Sequence, residues 1–281
     1  MSFDIAMPLT LFVVTLVSVF LNQKTEGKLK ATLEDREFRV RDVALFVGMM
    51  AVMIALIVFV RQMSLVLMIL FLFSYSLLLF TFGYVFSKNR WYVGAIPPAV
   101  FILLYVFFRD SEFWAVYLVN VYGLVFAVLI TLYLAGLFSW KTTAVFAVLL
   151  TVLDIFLVLV TGTMVEAAKA TSSLNLPVLV SLPTLPAVVT AKGSIFMRLG
   201  LGDFFFAGLL AIQTFKKFGR NFAVVTVIAM TVSFSIFEAA LLTLLSDYGF
   251  STAFPGTLMI ICGWAPLILW KKLRHSHTET K

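Results

Sequence analysis

Three carboxylates stand well inside long apolar runs: Asp154, Asp203 and Glu238. A charge at the centre of a bilayer costs roughly 3 kcal/mol on insertion scales, so such residues are functional candidates by default. Two aspartates sharing a dry site cannot both ionise; one keeps a proton while the other is an anion. That pairing supplies an acid and a base together near neutral pH. The anion takes a proton from water while the neutral acid polarises a peptide carbonyl. The product is a tetrahedral diol without a covalent intermediate, and the apparent pKa values belong to the pair. Asp203 follows Gly200-Leu201-Gly202. Two glycines ahead of an acid let another backbone approach closely, or loosen the start of a helix. Taken alone, they favour ordinary small-residue helix packing. Glu238 reads as a protonated structural group, or as a group that lines water access or tunes the pair. Asp4, Asp110, Glu112, Glu166 and Asp247 fall at or near the ends of apolar runs, within reach of water.

The elements that must position these acids are membrane helices. Of the 281 residues, 62% are hydrophobic and 12% charged, about half the charged share of a soluble domain. Several runs reach about 20 residues, enough to cross roughly 30 Å of hydrocarbon as helix. The short alternating segments of a β-barrel are missing. Nine spans are expected, at about 5–22, 43–60, 64–86, 92–108, 114–138, 143–165, 195–215, 222–246 and 255–270. They form a single membrane domain over 1–281. Spans one to five, about 5–138, are its scaffold, and spans six to nine, about 143–270, its catalytic half. Residues 23–42 read as a solvated loop in preference to an amphipathic surface helix. Residues 166–194 carry Pro177, Pro183 and Pro186 and cannot form an uninterrupted helix. Val178-Leu179-Val180 and Val188-Val189 are strand-competent there.

A net charge of +7 in a soluble protein would raise nucleic acid as a partner. Here it reflects basic loops on one membrane side, and no aromatic-basic nucleic-acid motif or zinc spacing occurs. Lys24, Lys28, Lys30, Arg36, Arg39, Arg41, Lys88, Arg90, Lys141, Lys216, Lys217, Arg220 and the basic C-terminal tail fall on one side. Only Arg61, Arg109, Lys169, Lys192 and Arg198 fall on the other. The N-terminus is therefore expected outside and the C-terminus in the cytoplasm. Cys262, the single cysteine, lies in an apolar run, and His275 and His277 lie in the polar tail, so neither a disulfide framework nor a catalytic thiol is expected. In the nine-span frame Asp154 lies roughly 14 Å and Asp203 roughly 12 Å from the outer edge, on consecutive antiparallel spans.

Nine spans, an aspartate in the sixth and Gly-x-Gly-Asp in the seventh resemble the presenilin and signal peptide peptidase family of intramembrane aspartyl proteases. The likeness covers the whole architecture; the residue match is concentrated at Asp154 and Gly200-Leu201-Gly202-Asp203. Two departures stand out. The family has Tyr-Asp in span six where this chain has Leu153-Asp154, and Pro-Ala-Leu at the start of span nine. Pro255-Gly256-Thr257 and Ala265-Pro266-Leu267 both compete for that last role, and depth favours Pro255. The resemblance implies an all-α, presenilin-like fold with Asp154 and Asp203 catalytic. It implies cleavage of transmembrane peptide substrates with cytoplasmic N-termini, such as signal-peptide remnants or type II anchors, in an archaeal plasma membrane. No metal or organic cofactor is implied, the lipid bilayer is the surrounding partner, and homo-oligomerisation is left open. An unwound substrate needs partners for its freed backbone groups, and adding it as a strand to an edge near 185–189 or just before Gly200 supplies them. A proton-coupled secondary transporter using the intramembrane carboxylates is the competing class, and a non-catalytic assembly factor the third.

Overall fold

A computed structural model describes residues 3–32, 37–88, 90–190, 193–248 and 253–279, without the side chains of 30–32, 189–190, 246–248 and 275–279. Arg36, Lys192 and the side chains of Asp247, His275 and His277 lie outside the described residues. The chain is nearly all helix: α1 (Ala6–Thr32), α2 (Val40–Phe59), α3 (Ser64–Phe86), α4 (Trp91–Gly94), α5 (Ile96–Phe108), α6 (Val119–Ala135), α7 (Trp140–Ile155), α8 (Thr163–Ser172), α9 (Leu201–Phe218), α10 (Arg220–Tyr248) and α11 (Gly256–Glu279). Wider π-helical turns precede α6 (Trp114–Leu118) and follow α7 (Phe156–Val160). Among the described residues, eight helical segments are long and apolar enough to cross a membrane. The protein is therefore a multi-pass helical membrane protein. Lipid offers nothing to a bare peptide group, so apolar runs of this length fold as helices that satisfy their own backbone.

Several boundaries differ from the sequence reading. Residues 23–32 are not a loop but the continuation of α1, stabilised where Lys216 of α9 reaches Glu26 at 2.7 Å. The fourth span is broken at Ala95, with Pro97 and Pro98 in the first turn of α5, where the missing N–H groups are tolerated. The sixth span stops at Gly162, whose φ of 67° ends it. The seventh starts late: 195–200 is not helix, and residues 196–200 form a strand.

That strand belongs to the proline-interrupted region. β1 (Leu179–Pro183) pairs antiparallel with β4 (Phe196–Gly200), in register Val180 with Leu199. Two short strands, β2 (Val189–Thr190) and β3 (Gly193–Ser194), pair between them. Three aromatic donors hold the approach to β1. Tyr75 Oη bonds the Pro177 carbonyl at 3.1 Å, Tyr105 Oη that of Leu174 at 2.8 Å, and Trp114 Nε1 that of Asn175 at 2.9 Å.

α9 is the helix around which the others gather; it packs on α6, α1, α10, α7 and α11. Every residue from Phe204 to Thr214 is buried, the pattern of a helix enclosed on all faces. α1 thus enters the core of the C-terminal half, and the two halves are one packed body. Gln213 Nε2 donates to the carbonyls of Ala135 (3.0 Å) and Phe138 (2.7 Å) at the end of α6. Gly208 lets α6 close in: a Cβ there would lie 2.6 Å from Thr131 Cγ2. Gly208→Val is expected to destabilise the protein by about 1–3 kcal/mol through overpacking, read as a lowered unfolding midpoint in detergent.

Candidate functional site

Asp154 and Asp203 meet at the start of α11. Asp154 lies one residue before the end of α7, just ahead of the Phe156–Val160 π-helical turn; such widenings recur at functional sites. Its side chain is 9% exposed. Asp154 Oδ2 accepts the Thr257 hydroxyl at 2.6 Å and the Thr257 N–H at 3.3 Å. That N–H is one of the four at a helix start without an intrahelical partner.

Asp203 arrives by a different route. β4 runs directly into α9, and the Leu201 N–H continues the ladder by donating to Val178 O at 3.1 Å. Gly200 holds the junction in extended geometry, φ −71° and ψ 150°. Asp203 is then the third residue of α9, in its first turn and not some eight residues into a span. Its carboxyl faces the Gly200 backbone N–H, as an acid at this helical position commonly does. The other side of that carboxyl fills the space above Gly256: a Cβ on Gly256 would lie 2.6 Å from Asp203 Cγ.

One carboxyl therefore rests against Gly256 and the other is bonded by Thr257, the next residue. Asp154 is near enough for its charge to act on Asp203 directly. The groups turned toward the pair are backbone N–H groups at the starts of two helices, whose dipoles present positive ends. Asp203 is only partly buried and Gly202 is exposed, so the pair is reachable from one side. Pro255, buried, leads the chain into α11. Pro266 lies inside α11, about 15 Å further on at 1.5 Å per residue, away from both acids.

The structure thus brings together Asp154, Gly200, Leu201, Gly202, Asp203, Pro255, Gly256 and Thr257. Glu238 is not among them. Its two carboxyl oxygens are buried without a hydrogen-bond partner among the described residues. Asp4 itself is 6% exposed, not the water-reached end residue expected. Asp4 instead caps α1, accepting the N–H groups of Ala6 and Met7; an aspartate immediately ahead of an apolar run is a helix-start signal that the sequence reading did not use. Asn120 was also missed: its Oδ1 accepts the Ser181 N–H of β1 at 2.7 Å. Cys262 faces outward from the bundle. Among the described residues, no group of three or more His, Cys, Asp or Glu is placed to hold a metal ion.

Fold and site define a multi-pass helical membrane protein with two carboxyls gathered at the first turn of one helix. No protein-family model matches the chain, and no curated protein matches it in sequence.

Proposed function

We propose that the protein is an intramembrane aspartyl endopeptidase of the presenilin and signal peptide peptidase type, with Asp154 and Asp203 as its catalytic pair. The observation that carries this reading is the convergence of both carboxyls on consecutive residues, Gly256 and Thr257. In this reading α9 is the ninth span. It falls short of the apolar character of the other eight because it carries Asp203, Lys216 and Lys217; Asp203 lies in the first turn against α11, and the two lysines are exposed in the last turn. The anionic aspartate takes a proton from water, the water oxygen bonds the peptide carbon, and the neutral aspartate gives its proton to the carbonyl oxygen. Collapse of the diol breaks the C–N bond: the aspartate that took water's proton gives it to the leaving amine, and the other takes one from a diol hydroxyl, which restores the starting pair. The N-terminus lies outside and the C-terminus in the cytoplasm, which suits substrates with cytoplasmic N-termini. A reporter fused to the C-terminus that reads outside would overturn that orientation.

The substrate is held as a strand on β4. Ser181 points its N–H away from β4, to Asn120. Antiparallel alternation then turns the N–H and C=O of its partner Arg198 away from β1 as well. The outer edge of β1 is covered by Asn120, and the outer edge of β4 is the one that leads to Asp203. Arg198→Pro removes an outward N–H and leaves the Val180–Leu199 and Leu182–Met197 pairs in place. It is expected to slow cleavage about tenfold, the worth of one lost hydrogen bond, while Arg198→Ala does not. Equal rates for the two would remove β4 as the substrate edge. The direct test of the function is purified protein in detergent with a helix-destabilised transmembrane peptide, products read by mass spectrometry. Failure to cut any of a range of peptides at any pH sinks the proposal.

A further inference from the structure

Inside the helices, buried threonines return their hydroxyls to their own helix. Thr131 donates to Ala127 O at 2.7 Å, Thr151 to Ala147 O at 2.8 Å and Thr214 to Leu210 O at 2.7 Å. That bond needs a helical carbonyl one turn earlier. Thr257 is the second residue of α11 and has none. It is buried, and a buried hydroxyl without a partner is costly. Its one acceptor among the described residues is Asp154 Oδ2, on another helix, at 2.6 Å. The Pro-Ala-Leu of the family this chain resembles has leucine at the matching place, which brings no such donor.

The two carboxyls are therefore unequally supplied. Asp154 Oδ2 takes the hydroxyl and the N–H of a single residue, at 2.6 and 3.3 Å. The shorter distance is that of an O–H bond to an ionised acceptor, and the longer is a weak bond. No side-chain donor among the described residues reaches Asp203, whose carboxyl faces the Gly200 N–H. Donors aimed at a carboxylate favour its charged form. With Oδ2 engaged, Asp154 keeps Oδ1, which accepts no hydrogen bond from the described residues.

We propose that Thr257 is the positioning residue that divides the work of the pair: its hydroxyl and amide hold Asp154 as the anion that takes water's proton, and leave Asp203 as the neutral acid. Water gives its proton to Asp154 Oδ1 as its oxygen bonds the peptide carbon, and the Asp203 proton passes to the carbonyl oxygen. The division into base and acid rests on the protease reading; the division into anion and neutral acid does not.

The test is infrared difference spectroscopy of the purified full-length protein in detergent at neutral pH. Asp154→Asn is expected to remove a carboxylate band from the parent spectrum, and Asp203→Asn a protonated carboxyl band. The reverse pattern, or loss of both bands from each change, would overturn the assignment. Thr257→Val keeps the shape and the amide and drops the hydroxyl; on that background each asparagine change should remove part of both bands. Thr257→Ala drops the same hydroxyl with less bulk and should read the same way, while Thr257→Ser restores the parent pattern. A parent pattern that persists in the valine and alanine variants removes Thr257 as its cause. Peptide cleavage is followed in parallel. Thr257→Val is expected to lose about tenfold in kcat with KM unchanged, the worth of one hydrogen bond to a charged group that does not touch substrate, and Thr257→Ser to recover it. An undiminished kcat in Thr257→Val removes its part in catalysis. Separated bands in a protein that cuts nothing leave the anion at Asp154 and remove the protease.

Discussion

Asp154→Asn and Asp203→Asn are each expected to abolish cleavage while leaving the helical fold intact. Asparagine keeps the shape and polarity of aspartate and cannot ionise or hand over an acid proton. Its side-chain oxygen still accepts the Thr257 hydroxyl, which bonds Asp154 at 2.6 Å in the parent, so the start of α11 stays anchored. General acid–base catalysis contributes about 10²–10⁴-fold per participating group, and each single variant should lose at least that. The double variant should be no slower than either single one, because the two carboxyls act as a unit and their effects do not add. In the parent the rate should fall at both low and high pH, one proton shared between two carboxyls being the working state. Initial rates by mass spectrometry, with circular dichroism for the fold, decide it. A variant that cuts as well as the parent would remove the dyad and turn attention to proton-coupled transport measured in liposomes.

Gly256→Ala is expected to lose about 100-fold or more in cleavage while the protein stays folded, on the scale set by small misplacements of catalytic groups. The added Cβ would lie 2.6 Å from both Cγ and Oδ1 of Asp203, closer than such atoms approach. Either Asp203 rotates away or the first turn of α11 shifts and draws the Thr257 N–H from Asp154. Helix propensity alone argues the opposite direction for stability, since alanine is favoured over glycine by up to about 1 kcal/mol. Gly48→Ala in α2 is the control, because a Cβ there meets nothing within 4 Å and cleavage should be unchanged. The resemblance to the presenilin and signal peptide peptidase family gives this experiment a second edge. Its Pro-Ala-Leu carries alanine where this chain has Gly256, so resemblance by itself predicts tolerance and the geometry predicts loss. Full activity in Gly256→Ala would place Asp203 further from α11 than it stands here.

Much of the architecture was legible in residue order. Apolar runs longer than a bilayer is thick leave a chain only the helix, so α2, α3 and α10 lie close to where hydropathy puts them. The acids within those runs announced themselves by their cost, and the prolines of 166–194 ruled out a continuous helix there. Val178-Leu179-Val180 and Val188-Val189 were legible as strand-competent by their branched side chains, and β1 and β2 overlap them.

Tertiary structure decided what composition cannot carry. Phe196–Gly200 is as apolar as a helix start, and only its partner β1 makes it a strand; pairing is a property of two segments, not one. That strand sets where α9 begins, and so moves Asp203 from mid-span to the first turn. Residues 23–32 carry charges of both signs and read as loop, yet α1 runs through them, with Lys216 of a distant helix paired to Glu26. Asp4, which reads as a water-reached end residue, is buried because its carboxyl takes the N–H groups of Ala6, Met7 and, from more than a hundred and eighty residues away in order, Leu185. Sequence order names which groups must avoid lipid; the packing of helices decides which of them meet, because a contact between two elements depends on crossing and register that neither element encodes alone.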